Sequence, residues 1–132
     1  MTIIVDASVV VAALVDAGPI GGWAEHQLQA GRLAAPHLMP VEVANVFRRA
    51  ELAGDVSSDV AALGYSDLLD LPVDLYPFEP FADRVWQLRK TITAYDAWYV
   101  ALAEALDTTL ATLDQRLAMA PGPTCSFEIP SP

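Results

Sequence analysis

The chain has 132 residues, 54 % of them hydrophobic, with 17 acidic against 7 basic side chains and a formal net charge of −10. This size and apolar content suit one folded domain spanning residues 1–132 and exclude a disordered chain. The charge argues against a broad phosphate-binding surface, and favours a basic protein partner or bound cations. Cys125 is the only cysteine, and His26 and His37 are the only histidines. An internal disulfide or a cysteine-rich zinc site is therefore excluded. Apolar runs fall short of the roughly 18 residues that a membrane span needs. Residues 1–20 lack a basic start, and Asp6 interrupts their apolar run. No membrane segment or signal peptide is expected, and the expected location is the cytoplasm.

Thr2 to Val5 is a short β-branched run that reads as a buried strand, ending abruptly at Asp6. Residues 7–15 read as a short helix. Gly18-Pro19 and Gly21-Gly22 mark a loop and a helix start, and Trp23 to Ala30 continues as helix up to Gly31. Leu33-Ala34-Ala35 is a second strand, closed by Pro36. Pro40 opens a helix through about Ala53, with Gly54 as its stop. Val43, Val46, Phe47 and Ala50 share one face of it. Ser57 or Ser58 caps a further helix to about Leu69. Val73 to Tyr76 is a third strand, bounded by Pro72 and Pro77. Phe81 to Lys90 and Ala94 to Leu106 read as helices. Leu110 to Leu113 is a strand ending at Asp114, followed by a helical turn to Ala120. Ser126 to Ile129 reads as an edge strand. Strands alternating with helices predict an α/β fold, a three-layer α/β/α sandwich around a mostly parallel sheet.

Four acids stand out against this frame. Asp6 and Asp114 end predicted strands, and Glu42 and Asp96 lie in the first turns of predicted helices. Each has an ordinary explanation. Asp6 and Asp114 suit helix N-caps, Thr93 and Asp96 suit a capping box, and Glu42 suits the helix dipole. Jointly they suggest more. Helices that start at the carboxyl edge of a parallel sheet share one rim, where ligands bind. Four clustered carboxylates repel one another and raise one another's pKa values. A hard divalent cation such as Mg²⁺ or Mn²⁺ relieves that repulsion and supplies what phosphodiester hydrolysis needs.

Four stretches resemble those of PIN-domain nucleases of the VapC type, the toxins of bacterial toxin–antitoxin pairs. They are Ile3 to Ser8, Val41 to Arg49, Thr93 to Ala103 and Leu113 to Leu117. The resemblance implies that Asp6, Glu42, Asp96 and Asp114 bind a catalytic Mg²⁺ or Mn²⁺. It places Ser8, Asn45 and Thr112 beside them as supporting residues. It further implies endoribonuclease activity on RNA, with transfer or ribosomal RNA among the targets, and a cognate antitoxin that blocks the site. A homodimer is the expected assembly, from the high apolar content of a small domain. The competing reading is a phosphoacceptor or metal-binding signalling module without nuclease activity. The phosphoacceptor form lacks an Asp after Val73–Tyr76, where the chain has Pro77-Phe78-Glu79, and a suitably placed lysine, since Lys90 is the only one. Trp23, Trp86, Trp98 and Tyr99 are expected in the core or at an interface. Arg84, Arg89 and Lys90 could form a small basic strip for RNA, or simply a soluble surface.

Overall fold

The structure, a computed structural model, describes residues 1–132. Its elements are β1 (Thr2–Val5), α1 (Ala7–Val15), α2 (Pro19–Gln29), β2 (Arg32–Pro36), α3 (Met39–Leu52), α4 (Ser58–Asp70) and β3 (Val73–Tyr76). A 3₁₀ turn (Glu79–Phe81) leads into α5 (Ala82–Gln87), then α6 (Ala94–Ala105), β4 (Thr109–Ala111), α7 (Gln115–Met119) and β5 (Phe127–Glu128). The sheet order is β3-β2-β1-β4-β5, and every pairing is parallel.

This order has a direct consequence. The chain winds from β1 outward to β2 and β3, then returns to lay β4 on the other side of β1. Right-handed crossovers put the helices of the two halves on opposite faces of the sheet. Helices α1 to α4 pack among themselves, while α6 crosses β1, β2 and β4. The winding reverses between β1 and β4, which opens a crevice beyond their carboxyl ends. The core is one cluster of 27 buried residues, including Ile4, Val5, Val9, Val43, Val100, Leu102 and Leu110. The central strands are buried on both faces, as their unbroken apolar sequences predict. No single helix is long and apolar enough to cross a membrane.

Two glycines are required by geometry. A Cβ on Gly21 would lie 1.7 Å from the Asp16 carbonyl oxygen, so only glycine lets α2 turn so closely against the end of α1. Gly54 has φ of 80° just past α3, the left-handed conformation that ends helices.

Three elements differ from the sequence expectation. Helix α2 starts at Pro19, in the first helical turn, where proline is at home. Helix α5 ends at Gln87 instead of running to Lys90. The next turns tighten into i→i+3 bonds, Arg89 N to Trp86 O and Thr91 N to Leu88 O, and the Arg89 guanidinium also donates to the Trp86 carbonyl at 2.8 Å. Strand β4 stops at Ala111 instead of Leu113. There the side chains of Ser8 and Thr112 take over the backbone amides, as described next.

Candidate functional site

Asp6, Glu42, Asp96 and Asp114 line one cavity of about 190 Å³, together with Ala7, Ser8 and Tyr99. The cavity sits beyond the carboxyl ends of β1 and β4, where the winding reverses. Each acid arrives by a different local route. Asp6 is the N-cap of α1 and accepts from the Val9 amide. Its own amide donates to the Ala111 carbonyl, carrying the β1–β4 ladder one residue past the strand. Asp114 is the N-cap of α7 and accepts from the Arg116 and Leu117 amides through one oxygen, Oδ1. Asp96 lies in the first turn of α6, and the Thr93 hydroxyl accepts its amide at 3.2 Å. The reciprocal half of the expected capping box, from the Asp96 carboxylate to the Thr93 amide, is not made. That carboxylate is left to face the cavity. Glu42 lies in the first turn of α3. Capping and shared placement thus coexist at the same residues.

The supporting residues divide. The Ser8 hydroxyl donates to Asp6 Oδ1 at 2.5 Å and accepts from the Leu113 amide. The Thr112 hydroxyl donates to Asp6 Oδ2 and accepts from the Asp114 amide. Two hydroxyls therefore hold both oxygens of the Asp6 carboxylate and also shape the bend after β4. Asn45 is different: it is exposed and does not line the cavity. Three residues past Glu42 it shares much of that helix face, but it lies about 4.5 Å further along α3, away from the rim where the cavity sits, and its short side chain does not reach back.

Tyr99 was expected only as a core or interface aromatic. It is buried, and its hydroxyl donates to Glu42 Oε1 at 2.6 Å. The available signal was its spacing. Tyr99 lies three residues after Asp96, on the same face of α6.

Electrostatics follow from burial and crowding. Desolvation by burial raises the Asp6 carboxyl above its ordinary range, against the lowering effect of its Ser8 and Thr112 hydrogen bonds. Burial also raises Glu42, and the charges of Asp6 and Asp96 add to it, while Tyr99 opposes. Asp96 is raised by burial and by the charges of Asp114 and Asp6. Burial and the Glu42 carboxylate hold the Tyr99 phenol far above its usual range, so it stays a donor at every working pH. Glu42 and Asp96 are therefore raised by neighbouring carboxylates as well as by burial, and a cation would relieve them.

All the donors are carboxylate oxygens, the hard ligands of Mg²⁺ and Mn²⁺. No three acidic, His or Cys side chains close into a ready-made ligand cage. Glu79 and Lys90 do not line the cavity, and β3 lies at the sheet edge. The phosphoacceptor reading has no lysine here to support it. A larger cavity of about 400 Å³ lies at the opposite rim, by Thr108 and Thr109. Its Glu104 is already occupied by Arg84 and by the Thr124 amide and hydroxyl.

The PIN domain family model matches residues 3–122. The chain belongs to the PIN-domain family. Within that family it is similar to Ribonuclease VapC1 of Mycobacterium tuberculosis, at 41 % identity over 127 residues and 96 % of each chain. Two solved structures share the PIN fold. One is PAE2754 from Pyrobaculum aerophilum, with a TM-score of 0.70 and 20 % identity, covering 96 % of this chain and 83 % of that one. The other is VapBC2 from Rickettsia felis, bound to a DNA fragment from their promoter. It has a TM-score of 0.66 and 14 % identity, covering 98 % of both chains.

Proposed function

We propose that this PIN-domain chain is a metal-dependent endoribonuclease, one nuclease unit over residues 1–132, acting as the toxin of a type II toxin–antitoxin pair. The observation that carries the reading is the meeting of four carboxylates in one cavity at the β1/β4 crevice. Membership of the PIN family and likeness to a VapC ribonuclease give the cavity its chemistry. Asp6, Glu42, Asp96 and Asp114 would hold Mg²⁺ or Mn²⁺. When bound, that cation supplies Lewis-acid activation of a water and neutralises charge building on the phosphate.

The remaining work falls to the protein. Ser8 and Thr112 fix the plane of the Asp6 carboxylate, whose Oδ1 also accepts from the Val9 amide while Oδ2 keeps one lone pair uncommitted. Tyr99 pins one oxygen of Glu42 and keeps its own proton on the phenol oxygen. Asp96 accepts no backbone amide through its carboxylate, and the Thr93 hydroxyl is the one hydrogen-bonding neighbour that opposes its raised pKa. Hydroxyls that orient ligating carboxylates typically matter by 10–100-fold in metal affinity or activity.

The partner is a cognate antitoxin with a basic element, supported by the net charge of −10. The RNA target lies among transfer and ribosomal RNAs, the expected assembly is a homodimer, and the site of action is the cytoplasm. The deciding experiment uses purified chain freed of antitoxin. RNA is cleaved with Mg²⁺, cleavage stops on adding EDTA, and Asp6→Asn is inactive but retains the wild-type circular dichroism spectrum. Cleavage at an undiminished rate in EDTA overturns the mechanism.

A further inference from the structure

Of the four aromatic residues expected in the core or at an interface, one stays outside the core. Tyr99 is buried, and Trp23 and Trp98 pack partly against the core, but Trp86 is 67 % exposed at the end of α5. It is not idle there. The Arg89 guanidinium lies 4.4 Å from the Trp86 ring centroid and is fixed by its bond to the Trp86 carbonyl. One face of the ring is thereby stiffened by a cation, while the side chain as a whole stays open to solvent.

The chain leads from Trp86 through Arg89 and Lys90 to Thr91, Ile92 and Thr93. Those last three line a second cavity, of about 300 Å³, together with Arg116. This cavity shares Asp96 and Asp114 with the carboxylate cavity. The two are neighbours across those side chains. Charge placement is selective as well. Of seven basic residues, Arg32 and Arg84 are tied into ion pairs with Asp74 and Glu104. Of the five others, Arg89, Lys90 and Arg116 all flank this path. In a chain of net charge −10, cations outside any ion pair grouped beside an exposed indole are the pattern that binds single-stranded nucleic acid. The cations take phosphates, and the indole takes a base face.

We infer that the Trp86–Arg89–Lys90 corner and Arg116 form a substrate subsite, which grips single-stranded RNA as it leaves the carboxylate cavity, with a base stacked on Trp86. This rests on the nuclease reading and extends it. Trp86 and Arg89 position the substrate and take no part in bond cleavage.

The test measures binding of a fluorescein-labelled single-stranded RNA to the full chain by anisotropy, in EDTA so that turnover does not intervene. Trp86→Ala is expected to weaken binding about 5- to 150-fold, the worth of one base–aromatic stack at about 1.4 kcal/mol per tenfold. Trp86→Phe retains most of the affinity, because a phenyl ring still stacks. Lys90→Ala lowers the slope of log affinity against log salt by about 0.7, the loss of one phosphate contact. Unchanged affinity in Trp86→Ala, from a chain that otherwise binds and cleaves RNA, overturns the subsite and leaves the nuclease reading standing. So does a Trp86→Ala chain that changes its sedimenting mass while keeping its RNA affinity, since Trp86 is then a protein interface. A wild-type chain that cleaves no RNA with Mg²⁺ overturns the nuclease reading and the subsite together.

Discussion

Replacing Thr112 by valine tests the link between the fold and the carboxylate cavity. Valine has nearly the shape of threonine, so the fully buried site keeps its packing. What disappears is one hydroxyl. It donates to Asp6 Oδ2 and accepts from the Asp114 amide. Asp114 is exposed, so water can replace the second bond, but Asp6 is buried and its charge loses a donor. A hydrogen bond to a charged group contributes about 1.5–3 kcal/mol. The expected loss at neutral pH is therefore about 2 kcal/mol, or roughly 1 M in urea midpoint for a domain of this size. The sign with pH follows from Asp6 being raised by burial. A carboxyl whose folded pKa is raised favours the fold below its unfolded value, and this contribution is lost as pH rises through the folded value. Removing the Thr112 donor raises the group further. The penalty is then largest where Asp6 is ionised and smallest where it is protonated. Urea titrations of both proteins in EDTA, at about pH 7.5 and at about pH 4, where ordinary carboxyls are half-titrated and a raised one holds its proton, read this directly. Equal losses at the two pH values, or no loss at neutral pH, would refute the assignment of Thr112 as the donor that steadies an ionised Asp6.

Further outcomes follow from the same geometry. Tyr99→Phe frees Glu42 from its donor, costs about 1 kcal/mol of stability, and moves the acid limb of the cleavage pH profile upward, because Tyr99 opposes the raised pKa of Glu42. Asp96→Asn removes a charge that Asp6 and Asp114 repel. Metal-free protein should become more stable at neutral pH by about 0.5–2 kcal/mol, while the rise in thermal midpoint produced by Mn²⁺ shrinks. Arg84→Ala unties the C-terminal segment, because Arg84 pairs with Glu104 through two bonds and donates to the Gly122 carbonyl, while Glu104 accepts from Thr124. The expected cost is about 1–2 kcal/mol, with faster amide exchange over residues 120–128. Burial alone would raise Glu104, but Arg84 and Thr124 outweigh it and hold it below its ordinary range. The stabilisation it gives is present above the unfolded carboxylate pKa and fades as pH falls through the folded value, so the variant should differ least in acid.

What the sequence made legible was the part governed by local pattern. The β-branched run at Ile3–Val5, the proline and glycine punctuation around α3, and the caps at Asp6, Ser57, Thr93 and Asp114 all depend on a few adjacent residues. The four acids could be grouped because each sits at an element boundary, and the rim of a parallel sheet collects such boundaries. Asn45 stays outside the cavity because each residue along α3 moves about 1.5 Å further from the rim, and its side chain is too short to make up that distance. Tyr99 was overlooked because its partner, Glu42, is 57 residues away. Trp86 is at the surface because the buried face of this segment carries Phe81, Val85 and Leu88, which leaves the indole on the outer face of α5.

The β1–β4 pairing also sets a clock. Asp6 is made more than a hundred residues before both partners that complete its surroundings, Thr112 and Asp114; the Thr112 bond spans 106 positions. At ribosomal speeds of about 5–20 residues per second, those 106 positions take about 5–20 s. During that interval the nascent chain carries only part of its carboxylate set. A chain cut short anywhere before β4 can fold no competent cavity. A partner translated alongside has that interval in which to be ready.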